Sequence, residues 1–171
     1  MPGVVGVLAR ITARPEAPTG ARALHDDAQR WLAAQRDSEG HPAAVHGDRR
    51  ELARTAWCYS DPGIAAALQT PDPAWLGRPF ESTLVVDAGL RPGAAGLMHL
   101  ANRMYQATRD VRFRDEALRW LRHTLALGLD GLPDGTRGVE LLSGTIGVGL
   151  ALLAMVSDLE PAWDRLLLCD R

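Results

Sequence analysis

The side chains best suited to chemistry in this sequence are a thiol and a small group of residues around it. Cys58 follows Arg54 and Trp57 within a short segment, and His41 and His46 precede that segment. A thiolate is both a nucleophile and a zinc ligand, and an imidazole is a second common zinc ligand. The two histidines could therefore approach Cys58 and complete a metal site, although spacing alone does not establish one.

The second cysteine, Cys169, lies far from Cys58 in the sequence and is predicted to be a lone thiol. Two cysteines are too few for the disulfide framework of a small secreted domain, which favours a reducing compartment such as the cytoplasm. No signal peptide is predicted at the start of the sequence. The longest uncharged stretch, residues 141–157, is short for a membrane span and contains glycines, so we expect a buried helix and no membrane span.

The charge composition excludes several classes of function. All 19 basic residues are arginine, the formal net charge is −2, and the basic residues form no dense block. Nucleic acid is therefore not an expected partner, because its recognition needs a basic patch. The absence of lysine also excludes Schiff-base chemistry, the phosphate-loop lysine and the ATP-anchoring lysine of kinases. With 171 residues and 46% hydrophobic content, the sequence predicts a single domain over residues 1–171.

Four glycine-containing segments open apolar runs and divide the sequence into repeats. Three of them share Pro-Gly, and proline is favoured in the first turn of a helix because its missing N–H would have no partner there. Each segment carries a small residue three positions after its glycine, which would let helix backbones approach closely. Asp61 is predicted to be the N-cap of its helix. The segments begin at Met1, Asp61, Arg91 and Ser143.

The elements that follow these segments predict an all-α fold. The runs 93–108 and 144–156 are apolar on nearly every face, which is typical of buried inner helices. Two other segments carry an apolar stripe at helical spacing and are predicted to be outer helices. Alternating inner and outer helices are typical of an α/α toroid or solenoid. Three prolines between residues 69 and 91 leave room for at most a short helix at 80–86. The stripes consist of Leu24, Ala28, Trp31 and Gln35, and of Phe113, Ala117, Trp120, Thr124 and Leu127.

Four blocks of the sequence resemble, in the same order, motifs of the lanthionine synthetase C (LanC) family. Trp57-Cys58-Tyr59-Ser60-Asp61-Pro62-Gly63 is similar to the family signature Trp-Cys-Tyr-Gly-x-Pro-Gly, with Ser60 in place of glycine. Residues 89–108 are similar to the family's Leu-Cys-His-Gly-x-Ala-Gly helix, and residues 141–153 and 161–168 supply the other two blocks. The resemblance implies an α/α toroid of seven inner and seven outer helices around a central zinc, of which this chain would hold about half.

LanC enzymes are peptide cyclases that add cysteine thiols of a precursor peptide to dehydroalanine or dehydrobutyrine, which closes the thioether rings of lanthipeptides. The family holds its zinc with one cysteine and an adjacent Cys-His pair, and it leaves the fourth position open. Cys58 matches the first ligand, whereas Arg91 and Pro92 take the positions of the pair and cannot coordinate zinc. The resemblance therefore predicts a vestigial site that binds zinc weakly or not at all.

Of the family's other active-site positions, Arg54 and Trp57 match. In the family's role, Arg54 would hydrogen-bond a developing enolate oxygen and Trp57 would wall the site. The alternative is that both residues only support the loop before the helix that begins near Asp61. Met1-Pro2-Gly3 matches the Pro-Gly that follows the family's catalytic His-Gly, so the resemblance implies that the catalytic acid precedes this sequence.

The resemblance leaves three functions open. The chain would be part of a truncated cyclase, a degenerate member that binds a modified precursor peptide or a modifying enzyme without catalysis, or a decayed reading frame. About half of a ring would expose two apolar hairpin edges, so self-association or a partner protein is expected.

Overall fold

The structure of the chain, a computed structural model, is mostly helical. It describes residues 2–38, 40–41, 44–46, 49–51, 53–58, 60–91, 93–128 and 139–169. The α-helices within these residues are α1 (Pro2–Thr12), α2 (Ala21–Ala34), α3 (Asp61–Ala67), α4 (Phe80–Thr83), α5 (Ala94–Thr108), α6 (Val111–Leu127) and α7 (Thr145–Val156). Strands β1 (Ala44–His46) and β2 (Arg49–Glu51) form an antiparallel hairpin, and two 3-10 helices cover Pro73–Trp75 and Ala162–Leu167.

The four helix starts predicted from the glycine segments are confirmed, because α1, α3, α5 and α7 begin in those segments. The proline-rich stretch holds the 3-10 helix Pro73–Trp75 and the single turn of α4, which ends where Leu84 adopts a left-handed conformation with φ of 57°. Within the described residues, the β1–β2 hairpin is the exception to the all-helical prediction. None of the helices in the described part of the chain is long and apolar enough to cross a membrane.

Helices α1, α3, α5 and α7 form a row in which each helix packs against the next. Helix α2 packs on α1, and α6 packs on α5. The main hydrophobic core surrounds α5, which is apolar on several faces and has neighbours on three sides. Its fully buried residues include Ala94, Leu97, Met98, Ala101 and Met104.

The two predicted amphipathic helices behave differently. On α6 the predicted stripe is buried, including Phe113 and Trp120. On α2 the predicted stripe is only partly correct, because Ala28 packs inward whereas Leu24 and Trp31 remain 58% and 49% exposed. The buried residue is instead Leu32, which joins a small second core with Val5 and Ile64. Contact with both α1 and α3 therefore decides which face of α2 turns inward, and the sequence stripe alone does not.

A close approach between backbone and glycine recurs at the start of three helices in the row. A Cβ atom on Gly63, Gly96 or Gly147 would overlap a backbone carbonyl oxygen that lies six residues earlier, in the loop before the helix. Only glycine lacks that atom, so each helix can lie directly against its own preceding loop. The carbonyls belong to Trp57, Leu90 and Leu141.

This contact changes the alignment of the repeats. Gly63, Gly96 and Gly147 are each the third residue of their helix, whereas Gly93 is an N-cap residue. The Pro-Gly pairs at 62–63 and 92–93 therefore occupy positions that differ by three residues. The prediction that Asp61 is the N-cap is wrong. Ser60 is the N-cap, and Asp61 is the first helical residue.

The glycine contact predicts opposite effects for two glycines of α7. Gly147→Ala should lower the free energy of unfolding by about 1–3 kcal/mol, because the added methyl group meets the Leu141 carbonyl and the Leu90 side chain. Gly149 is exposed and has no atom within 4 Å of its ideal Cβ position. Gly149→Ala should therefore raise the free energy of unfolding by about 0.5–1 kcal/mol. Urea denaturation measures both, and equal effects would contradict the proposed role of Gly147.

Candidate functional site

The loop of residues 53–58 that precedes α3 is held by backbone and side-chain hydrogen bonds. The Thr55 amide donates to the Thr83 carbonyl at 2.9 Å, which ties the loop to the end of α4. The Ser60 hydroxyl accepts from the Ala56 amide at 2.8 Å and donates to the Ala56 carbonyl at 3.0 Å. Ser60 thus closes the loop on itself and fixes the residues between Ala56 and Ser60.

Trp57 links this loop to the last 3-10 helix. Its indole Nε1 donates to the Leu167 carbonyl at 3.0 Å, and its ring is half-buried against the main core. A buried or partly buried tryptophan usually needs such an acceptor for its N–H. The position of Trp57 is therefore fixed by a segment more than one hundred residues away in the sequence.

Cys58 lies half-buried beside two positive charges. Burial raises the pKa of the Cys58 thiol, whereas the charge of Arg91 and, more weakly, that of Arg54 act to lower it. The structure thus brings together Cys58 and the two arginines that the sequence placed at family positions. Among the described residues, neither guanidinium forms a hydrogen bond or an ion pair. The Arg91 backbone amide donates to the Leu142 carbonyl at 2.8 Å and joins two neighbouring loops.

Arg91 adds no zinc ligand beside Cys58. Arg91 sits two residues before its N-cap residue, as Cys58 does, and a guanidinium has no lone pair to offer a metal. The charges of Arg91 and Arg54 would also repel a cation at Cys58. Pro92 lies outside the described residues. Within the part of the chain that the structure describes, no group of three or more His, Cys, Asp or Glu side chains converges as metal ligands would.

His41, the candidate replacement ligand for Cys58, is paired with Asp61. Its Nδ1 lies 2.8 Å from Asp61 Oδ1, and its amide donates to the same oxygen at 3.1 Å. Arg78 binds the other carboxylate oxygen at 2.8 Å. Burial acts to raise the pKa of Asp61, but the hydrogen bonds from His41 and Arg78 outweigh it and hold that pKa below its usual range. The side chain of His46 lies outside the described residues.

A second buried ionic cluster was missed by the sequence analysis. Asp164 is fully buried, and its Oδ2 lies 3.1 Å from His99 Nε2 and 3.0 Å from Arg103 Nε. Arg103 also binds Glu160 at 2.7 Å, and the His99 ring packs on Trp163 with centroids 4.6 Å apart. The cluster anchors the last 3-10 helix on α5. Its only sequence signal was an aspartate beside a tryptophan in the last of the four blocks.

Comparison of the chain with protein-family models, curated proteins and solved structures found no match. The geometry therefore carries the functional argument together with the four sequence blocks. Arg54, Trp57, Cys58 and Arg91 lie in the loops before α3 and α5, whereas the Asp61 and Asp164 clusters hold the surrounding segments in place.

The pH dependence of alkylation tests the surroundings of Cys58. Because burial raises the pKa of this thiol, its reaction with iodoacetamide should reach half of its maximal rate at a higher pH than the reaction of an ordinary cysteine thiol. Arg91→Ala removes a charge that favours the thiolate, so the midpoint should move to higher pH still. The control Arg114→Ala, whose arginine pairs with Asp115, should leave it unchanged. Measurements use the Cys169→Ser background. A midpoint insensitive to Arg91→Ala would show that the two side chains do not interact.

Proposed function

We propose that this chain is a degenerate LanC-like protein, part of an α/α toroid, that binds a modified precursor peptide in the cytoplasm without closing thioether rings. Three of the four sequence blocks that resemble the family begin helices of the row or lie in the loop before them. The row α1, α3, α5, α7, with α2 packed on α1 and α6 packed on α5, is compatible with alternating inner and outer helices. This packing supports the proposed toroid. That the row forms part of a closed ring is proposed here as well.

The observation that carries the proposal is Arg91 beside Cys58. In the family this position holds a zinc ligand, and here a positive charge lies close enough to act on the Cys58 thiol. The cyclase reaction adds the S–H of a peptide cysteine across a C=C bond, so some group must first take the thiol proton. Neither Arg54 nor Arg91 can accept that proton, because a guanidinium stays charged and only donates. A truncated but active cyclase is therefore the less supported alternative.

Peptide binding is the task that the remaining residues can perform. Arg54 and Arg91 have no acidic partner among the described residues, and each guanidinium can donate to peptide carbonyl or carboxylate oxygens. Trp57 is half-buried with its N–H already bonded, so its ring can offer an apolar contact. Together they would hold a peptide near the position where the family holds its reacting groups.

The edges of the helix row support a protein partner or self-association. On α7 the residues Ile146, Leu153 and Val156 are 42%, 51% and 77% exposed and follow one face of the helix. On α1, Val4 and Val7 are about half exposed. Apolar faces of this kind usually mark an interface. Light scattering that shows a clean monomer at high concentration would argue against self-association and leave a different partner.

A fluorescein-labelled peptide with one cysteine and one dehydrobutyrine tests the proposed function. Fluorescence anisotropy should show saturable binding to the wild-type chain. The double variant Arg54→Ala/Arg91→Ala should bind about ten-fold more weakly, because two charge-assisted hydrogen bonds are lost. The control Arg112→Ala, whose arginine pairs with Asp110 on the surface of α6, should bind like the wild type.

The same mixtures report on catalysis through the peptide's free thiol, which iodoacetamide detects and which ring closure consumes. We expect thiol loss at the rate seen without protein. Thiol loss that the wild type accelerates and Cys58→Ala abolishes would show an active cyclase. Absence of binding to wild-type chain would contradict the proposal as a whole.

A further inference from the structure

Helix α5 shows which face of a helix in the row packs against the next helix. The side-chain amide of Asn102 on α5 donates to the Ala154 carbonyl of α7 at 3.0 Å. Ala95 lies about two turns before Asn102 on the same face of α5. Ala95 and Asn102 are buried, at 0% and 7% exposed respectively. The face of α5 that contains these two residues is therefore the face that α7 covers.

The corresponding face of α7 is exposed. In both helices the third residue is the glycine that meets the preceding loop, so α5 and α7 can be aligned residue by residue. Ile146, the second residue of α7, then corresponds to Ala95. Leu153, the ninth residue of α7, corresponds to Asn102. Ile146 and Leu153 are 42% and 51% exposed. Helix α7 thus leaves open the face that on α5 packs against the next helix.

Helix α1, at the other end of the row, exposes the opposite kind of face. Val5 packs with Ile64 of α3 in the second core. Val4 and Val7 lie about 100° and 160° around the helix from Val5, and they are 52% and 46% exposed. Counted from the Pro-Gly pair inside each helix, Val4 takes the position that Ile64 has in α3. Because Ile64 faces the preceding helix of the row, Val4 lies where a preceding helix would pack.

We propose that copies of this chain associate head to tail, with α7 of one copy packed on α1 of the next. Ile146 and Leu153 of one copy would bury Val4 and Val7 of the second copy. Both faces are apolar, and the contact would repeat between copies the packing of α1 on α3 and of α5 on α7 within the chain. Two different surfaces meet, so the contact is heterologous.

This contact gives the self-association considered under the proposed function a defined partner and geometry. It rests on the helix row and uses none of the residues around Cys58. Peptide binding measured by anisotropy and association measured by mass can therefore fail independently of each other.

Size-exclusion chromatography with light scattering measures the association on the full chain. The wild type should have at least twice the 18.5 kDa mass of one chain. Leu153→Arg on α7 and Val4→Arg on α1 should each reduce the mass to that of one chain, because either contact would bury an unpaired charge. Leu125 on α6 is 62% exposed, so Leu125→Arg is the matched control and should keep the wild-type mass. A monomeric wild type, or a Val4→Arg variant that associates like the wild type, would overturn the proposal.

A mixture of the two monomeric variants distinguishes a head-to-tail contact from a symmetric one. The Val4→Arg variant keeps an intact α7 face, and the Leu153→Arg variant keeps an intact α1 face. An equimolar mixture should therefore form a species with the mass of two chains. A symmetric contact between two α7 helices would instead be insensitive to Val4→Arg. A mixture that stays monomeric would refute the head-to-tail arrangement.

Cysteine cross-linking gives a second readout that uses small substitutions at exposed positions. In a chain with Cys58→Ser and Cys169→Ser, the double variant Val4→Cys/Leu153→Cys should form disulfide-linked chains under mild oxidation, since the two positions meet between copies. The control Val4→Cys/Leu125→Cys should stay largely uncross-linked. Non-reducing gel electrophoresis separates the two results. Equal cross-linking of both double variants would contradict the assigned contact.

Discussion

The backbone carbonyls of Trp57, Leu90 and Leu141 lie so close to the third residue of the following helix that only glycine fits there. This contact joins each of α3, α5 and α7 to its own preceding loop through main-chain atoms. Residues 58, 91 and 142 thereby take the same place in three successive loops, two residues before the N-cap. The side chains at these three equivalent positions are the Cys58 thiol, the Arg91 guanidinium and the Leu142 isobutyl group. Because the contact uses backbone alone, the helix row persists whichever side chain the place holds.

Two buried carboxylates tie the irregular segments to this row. Asp61 joins residues 40–41 and Arg78 to the start of α3, and Asp164 joins the last 3-10 helix to α5. The Leu167 carbonyl of that 3-10 helix in turn accepts from Trp57. Buried carboxylates are tolerated only when hydrogen bonds and charges compensate them, so each pins several segments at once. The surroundings of Cys58 are thus positioned by a few ionic contacts beside the apolar core.

The helix starts could be predicted because proline, glycine and the following apolar run are local signals. The alignment of the glycine segments with one another could not be predicted, since the Pro-Gly at 62–63 lies inside α3 while Gly93 precedes α5. The apolar stripe of α6 predicted its buried face. On α2, however, Trp31 of the predicted stripe remains exposed, because a stripe does not show which helices will pack against it. The pair of His41 and Asp61 is separated by twenty residues with no repeating pattern, and only the fold reveals it. The charge of Arg91 acts on the Cys58 thiol, and no local pattern in the sequence indicates that these two residues are close together.

The central claim is that the LanC-like helix row persists here without the family's metal chemistry. Zinc analysis by plasma mass spectrometry, on chain purified without a histidine tag and dialysed against buffer with micromolar zinc, tests it most directly. The account predicts far less than one zinc ion per chain, and no difference between wild type and Cys58→Ala, because Arg91 offers no ligand and its charge repels the cation. About one zinc ion per chain that is lost in Cys58→Ala would contradict the account and restore a metal site at Cys58.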